Sequence, residues 1–184
     1  RLQTLVDRLL APHRRAHTTE LINLHEALER VRSLVLAEFP NGLRIIRNYD
    51  TSLPDIVGDK EQLIQAILNI AHNAAQALSE EMRRGTAVIE FRTRVARSVT
   101  IAKQRYKLAL DLHVIDNGPG IPAEIMDSLF ERFTRADGSR NRATGSTGLG
   151  LAIVEGLVRA HHGTITAESR EGHTEFRITL PRAS

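Results

Sequence analysis

The sequence predicts an α/β two-layer sandwich, a mixed β-sheet with about three helices on one face. Three observations carry that expectation. Apolar residues recur at helical spacing in three separate windows, 24–38, 60–78 and 149–158. Four segments, 87–95, 107–115, 163–169 and 174–180, read as strands that follow one another in hairpin-like pairs. The resulting order, β-α-β-α-β-β-loop-α-β-β, alternates too irregularly for a purely parallel sheet. The strands are therefore expected to run both ways, with the helices gathered on one side.

The 184 residues suffice for one domain with a real core. The chain starts at Arg1 and not Met, and is expected to be a fragment. Hydrophobic content of 41% and charged content of 26% match a soluble globular protein. No apolar run approaches the ~20 residues that span a bilayer, so no membrane partner is expected. Cysteine is absent, which excludes disulfides and thiolate metal sites and fits a reducing, cytoplasmic setting. Tryptophan is absent too, and aromatics are 4%, leaving little surface on which bases could stack. No nucleic-acid reading motif accompanies the net charge of +3, so no nucleic-acid partner is expected. Apart from Lys60, Lys103 and Lys107, every basic residue is an arginine, which grips phosphate oxygens bidentately.

Residues 1–10 place Leu2, Leu5, Val6, Leu9 and Leu10 on one helical face, which stops at Ala11-Pro12. This is too short for a domain and reads as the end of a helix from something upstream. Residues 13–18 are a linker or strand entry, and 19–23 a short strand. Asn23 is a good N-cap, with Glu26 placed to close a capping box. The helix then runs to about residue 38, with Leu24, Ala27, Leu28, Val31, Leu34 and Val35 inward. Pro40-Asn41-Gly42 is a turn into a strand over 43–49. A loop over 52–58 leads to Asp59, the cap of the next helix. That helix, 60–78, has the broadest apolar face, including Leu63, Ile64, Ile67, Leu68, Ile70 and Ala71. The polar stretch 96–105 between the next two strands is read as an extended hairpin loop.

The chain is organised around residues 116–151. Asp116-Asn117-Gly118-Pro119-Gly120-Ile121 and Thr147-Gly148-Leu149-Gly150-Leu151 are glycine-rich turns about thirty residues apart, and the second opens a helix. Glycine lets a ligand approach the backbone closely, and free N–H groups at a helix start suit a phosphate. Either turn alone is equally an ordinary surface loop. Between them lie Arg132, Arg135, Arg140 and Arg142. Asn69 and Asn73, at i and i+4, share one face of the apolar helix. Such amides either brace neighbouring backbone or offer oxygens to Mg²⁺, which takes a few protein ligands together with nucleotide phosphates. His72 reaches a phosphate or faces solvent. Asp116 ends an apolar strand; it makes a plain turn or accepts an exocyclic amine such as that of adenine.

Five segments in order resemble the sequence boxes of sensor histidine kinases. They are the helix from Asp59 through Asn69-Ile70-Ala71-His72-Asn73-Ala74, the first glycine turn, Leu129-Phe130-Glu131-Arg132-Phe133, the second glycine turn with Gly145-Ser146, and Gly172-His173-Thr174-Glu175-Phe176. The resemblance covers about residues 19–181. It implies the Bergerat-type ATP-binding fold, shared with gyrase, the Hsp90 chaperone and MutL, and it implies ATP and Mg²⁺ as cofactors. Asn73 is then the Mg²⁺ ligand, and Asn69 faces the phosphates one turn earlier with His72 beside it. Asp116 receives the adenine amine, with Gly118 and Gly120 letting the base pack close. Ile121, Phe130 and Thr174 complete the implied binding set. Residues 131–147 form a mobile lid. Thr147, Gly148, Leu149 and Gly150 present amides to the triphosphate, flanked by Leu151. Arg132 or Arg135 neutralises the γ-phosphate, so that Asn69, Asn73 and Arg132 carry the catalytic roles. Residues 1–12 become the end of the dimerisation and phosphoacceptor helix, and 13–184 the catalytic domain. The implied partners are that phosphoacceptor domain, a response regulator met through the full-length kinase, and a PII-type regulatory protein.

Within the family, residues 1–10, 47–54, 118–122 and 172–176 look like the nitrogen-regulation branch. The stretch 130–154 departs from it and resembles the lid of general membrane-sensor kinases, as in a divergent relative or a protein assembled from two kinases. His25-Glu26 resembles the phosphoacceptor pair but lacks its downstream proline, and the capping role already explains Glu26. Two other functions compete. A gyrase- or MutL-like ATPase would need a general base where this chain has Asn69, and an amide cannot serve as one. A nucleotide-dependent binding module would use the lid only to report ATP occupancy to a partner.

Overall fold

The computed structural model describes residues 18–131 and 150–182. The expected helix end at 1–12 and nearly all of the expected lid lie outside the described residues. A short strand β1 (Glu20–Ile22) leads into α1 (Leu24–Glu38). The Asn23 side chain caps α1 by accepting the His25 N–H at 2.9 Å. Glu26 does not close the expected capping box. Its carboxylate pairs with Lys60 at 3.3 Å and ties the start of α1 to the start of the next helix. Next come β2 (Leu43–Asn48), β3 (Ile56–Gly58), α2 (Lys60–Ala77) and a short α3 (Ser79–Arg83). The segment expected as a plain loop before Asp59 thus contains a strand. Ile56 and Gly58 are buried and β3 pairs antiparallel with β1, a two-stranded sheet too short to show in an alternating pattern.

The main sheet has five strands in the order β2-β4-β5-β7-β6, with β4 Ala87–Ile101, β5 Gln104–Asp116, β6 Thr164–Arg170 and β7 His173–Pro181. β2 runs parallel to β4, while the other three pairings are antiparallel. The sheet is mixed, as expected. The connection from β5 back to β6 carries α4 (Ala123–Met126) and α5 (Gly150–Ala160).

α2 lies between α1 and α5 in the helical layer. That central position explains why even its polar residues Gln65, Asn69 and His72 are buried. The core joins Leu28, Val31 and Val35 of α1, Ile64, Leu68 and Ala71 of α2, Val154 and Val158 of α5, and Ile89, Phe91, Leu112, Val114, Phe176 and Ile178 of the sheet. Burial of this apolar face, and not helix propensity, is what stabilises each helix.

The expected hairpin loop at 96–105 is not a loop. β4 and β5 stay paired from Ile89↔Asp116 to Ile101↔Gln104 and turn at Ala102 and Lys103, both at positive φ (48° and 68°). Two consecutive positive-φ residues make the tight turn whose twist suits a hairpin. The turn lacks the Asn-Gly signal that would have announced it. Beyond the Asn48↔Arg92 and Ala109↔Pro181 pairs, neither neighbouring strand follows, and the arm meets water on more of its surface. Its polar residues Arg97, Ser98 and Thr100 reflect that exposure.

Candidate functional site

Asn69 and Asn73 project from the middle of α2, and the start of α5 meets them there. A Cβ built on Gly150 would lie 3.8 Å from Asn73 Nδ2 and 3.9 Å from Asn69 Oδ1. Asn69 is only 6% exposed, and its Nδ2 is buried without a hydrogen-bond partner among the described residues. A buried amide N–H left unpaired costs about 1–3 kcal/mol, so Asn69 Nδ2 is a donor that an incoming acceptor would satisfy. Among the described residues, no group of three His, Asp or Glu side chains could hold a metal ion.

The first glycine turn packs on the same helix farther along. A Cβ on Gly118 would stand 3.3 Å from Leu78 Cδ2 and 3.8 Å from the Ala77 carbonyl oxygen. Between the asparagine pair and this contact, α2 advances roughly 6–14 Å at 1.5 Å per residue. Asp116 ends β5 and is buried, and its Oδ1 accepts the Gly118 N–H at 2.9 Å. Burial is the main cause that pushes the Asp116 carboxyl up to about 6. The Gly118 bond works against that rise, Glu81 adds to it, and His173 opposes it.

The glycines of this turn are demanded by the protein itself. A Cβ on Gly118 would fall 2.9 Å from Asp116 Oδ1, and one on Gly120, at φ +91°, would fall 2.9 Å from the Arg170 carbonyl oxygen. The turn is strapped to the β6–β7 hairpin. Gly172 N–H donates to the Gly118 carbonyl at 2.9 Å, and Ile121 N–H donates to Ser169 Oγ at 2.7 Å. Ser169 Oγ in turn shares a 2.8 Å hydrogen bond with Thr174 Oγ1, and Thr174 stands opposite Asp116 in the β5–β7 register. Thr174 thus reaches the site by supporting the turn that holds Asp116.

Other expected residues are engaged elsewhere. His72 does not face solvent; its Nε2 pairs with Glu38 of α1 at 3.0 Å and its ring tilts against Phe39. This binds α2 to α1, and the expectation that His72 serves a phosphate finds no support in its placement. Phe130 packs edge-on against Phe176 of β7, with ring centroids 6.3 Å apart, and so anchors the chain just before the segment expected to form a lid. Ile121 and Leu151 pack against the core. Arg132, Arg135, Thr147, Gly148 and Leu149 lie outside the described residues. His25 stacks on Tyr49 with centroids 4.4 Å apart and bonds Thr93 at 2.8 Å, a bracing role unrelated to phosphoacceptance. An open cleft of about 610 Å³ beside it, lined by Asn23, Glu29, Arg47 and Tyr49 among others, shares no residue with the two glycine turns.

Two contributors escaped sequence reasoning. Asn117, a mere turn residue by pattern, accepts Val88 N–H at 2.9 Å and donates to the Thr86 carbonyl at 2.7 Å, fastening the turn to β4. Ser169 left no signal beyond its place near the end of a strand.

Comparison with known proteins matches residues 58–184 to the family described as histidine kinase-, DNA gyrase B-, and HSP90-like ATPase. The sensory histidine kinase/phosphatase NtrB of Salmonella typhimurium is 46% identical over 182 residues, 98% of this chain and 49% of that protein. The chain thus spans about half the length of such relatives. Among solved structures, the mycobacterial sensor histidine kinase MprB aligns with a TM-score of 0.70 at 25% identity, over 90% of this chain and all of that one. Full-length ShkA in complex with AMPPNP aligns with a TM-score of 0.71 at 23% identity, over all of this chain and 35% of that one. The five-stranded mixed sheet with helices on one face is thus shared architecture, and the chain belongs to the histidine kinase-, DNA gyrase B- and HSP90-like ATPase family.

Proposed function

We propose that this chain is the ATP-binding catalytic domain of a two-component histidine kinase, which delivers the γ-phosphoryl group of ATP to a histidine on a separate domain. The observation that carries this reading is the span along α2. An amine-reading carboxylate stands near one end and two amides stand under the start of α5, at a separation suited to the base and phosphates of one nucleotide. The 46% identity to a sensory histidine kinase supports transfer to histidine as the chemistry.

In this reading Asp116 orients the base, and Asn69 Nδ2–H donates to a phosphate oxygen, which would satisfy the orphaned amide. Asn73 is the residue that would hold Mg²⁺, with phosphate oxygens completing its shell; an amide oxygen is a hard ligand of the kind this ion accepts. When bound, Mg²⁺ neutralises phosphate charge. The chain's own work is positioning, and neither asparagine can deprotonate water, so transfer is favoured over hydrolysis. Arg132 or Arg135 and the amides of 147–150 belong to the proposed triphosphate site, and residues 131–147 to the proposed lid. Residues 1–12 are proposed as the end of the dimerisation helix and 13–184 as the catalytic domain. The partners proposed for the whole protein are its own phosphoacceptor domain, a response regulator and a PII-type regulator, in a cytoplasmic setting. Among the described residues, no helix is long and apolar enough to cross a membrane.

The test is calorimetric titration with ATP, with and without Mg²⁺, followed by incubation with labelled ATP and an added phosphoacceptor domain. Label should pass to that domain and not accumulate on this chain. Steady phosphate release near ~1 per second, an ordinary enzymatic rate, without transfer would instead establish a hydrolase.

A further inference from the structure

We propose that His161 is a positioning residue, a strut that sets how far α5 stands along α2 and therefore where Gly150 sits over Asn69 and Asn73. His161 follows the last residue of α5. Its Nδ1–H donates to the Leu157 carbonyl at 2.8 Å, which fixes the ring on its own helix. Its Nε2 accepts the backbone N–H of Asp59 at 3.0 Å. Asp59 is the N-cap of α2, and its side chain accepts the Gln62 N–H at 3.2 Å. One imidazole thus joins the end of α5 to the start of the helix that carries the asparagine pair.

The surroundings are shaped for that ring. A Cβ on Gly58, immediately before the cap, would lie 2.7 Å from His161 Nε2, so glycine leaves the notch the imidazole fills. The two helices also close on each other at both ends. Asn69 lies ten residues beyond Asp59, roughly 15 Å along α2, and α5 has 11 residues, roughly 16 Å. With His161 held at Asp59, Gly150 therefore falls beside Asn69 and Asn73. Apolar contacts such as those of Val154 and Val158 hold the helices together but are non-directional and tolerate a slide along the axis. The bond to Asp59 is directional and fixes the register. Asp116 is held separately, by β5 and by the β6–β7 hairpin, so a slip of α5 disturbs the phosphate end of the site and spares the base end.

This inference rests on the nucleotide reading of the site. The experiment measures ATP and adenosine affinity in the full 184-residue chain for His161→Phe, which keeps a ring without either bond, and for Gly58→Ala, which expels the ring and leaves His161 in place. Val158→Ala loosens α5 without touching the strut and serves as the packing control. For both test variants, Mg-ATP affinity should fall about tenfold, as for the loss of one directional hydrogen bond, while adenosine affinity is unchanged. The control should lower the melting temperature and keep the ATP-to-adenosine ratio. Equal loss for ATP and adenosine, or full ATP affinity in a folded Gly58→Ala protein, would overturn the strut. Failure of the unsubstituted chain to bind ATP would overturn the site reading, and the strut with it.

Discussion

The Asp116 carboxylate folds back on its own turn, where Oδ1 accepts the Gly118 N–H at 2.9 Å. One oxygen is thereby committed to the protein, and Oδ2 is the oxygen available to a ligand amine. The price of this geometry is a carboxylate buried beside Glu81, with its ionisation pushed up to about 6.

Asp116→Asn should therefore separate binding from stability. Asparagine can still accept the Gly118 N–H, but it gives up the charge-assisted bond to an amine, worth roughly 1.5–3 kcal/mol. ATP affinity should drop at least about tenfold, with GTP far less affected. The unliganded protein should gain stability at neutral pH, on the order of 1–3 kcal/mol, because a destabilised buried charge is gone. Nucleotide titration and urea unfolding of the same two proteins check both halves. A loss of stability in the variant would contradict the burial account.

The pH dependence follows from the same shift. The folded value, about 6, lies above the ordinary carboxylate value of 3.8, so protonation favours the folded state. The stability Asp116 contributes is complete below 3.8 and is lost as pH rises through about 6. ATP affinity should move the opposite way, rising across that range as the acceptor ionises. The difference in unfolding free energy between the unsubstituted protein and Asp116→Asn, followed from pH 4 to 8, isolates this group from the rest.

His72→Ala should act on folding. It leaves the Glu38 carboxylate, 11% exposed, with neither oxygen paired, since Oε2 has no partner among the described residues even now. Removing one partner of a buried pair costs about 3–5 kcal/mol, and replacing both together costs much less. Denaturant midpoints for His72→Ala and for the double variant with Glu38→Ala should show that inequality. Equal destabilisation by the two would mean the pair is not the reason for the cost.

His162 holds φ 61° just past the end of α5, where its N–H reaches the Arg159 carbonyl at 2.9 Å. A side chain in that region is strained, and glycine is the usual occupant after a helix. Relief of that strain, less glycine's greater loss of chain entropy, should make His162→Gly more stable by about 0.5–1 kcal/mol, read as a rise in the thermal midpoint with nucleotide affinity unchanged.

Much of this fold was legible because local patterns agreed with the global arrangement. Asn23 and Asp59 announced the starts of α1 and α2, and the apolar stripe of α2 was broad because the helix is central. What escaped the pattern was set by contacts remote in sequence. His72 gave no sign that Glu38, 34 residues away, would claim it. Glu26 had a plausible local partner and took Lys60 instead. Gly118 and Gly120 were singled out for a ligand's approach, whereas the reasons for them within the fold are the Asp116 side chain and the Arg170 carbonyl. In the β4–β5 arm, polarity mimicked a loop because the strands run past the layers that would have made them alternate.

That arm has a colloidal consequence. Among the described residues, no strand pairs with its outer reaches, so two rows of backbone donors and acceptors stand open to any strand that approaches. Arg94, Arg97, Lys103, Arg105 and Lys107 are all exposed along it, and residues 91–110 contain no acid to offset them. Two molecules meeting edge to edge would bring like charges together, as charged edge strands do elsewhere to prevent fibrous pairing. The protection is electrostatic and so is borrowed from the solvent. At 0.1 M salt the repulsion reaches only about 10 Å, and in concentrated brine the arm becomes the place where self-association would begin.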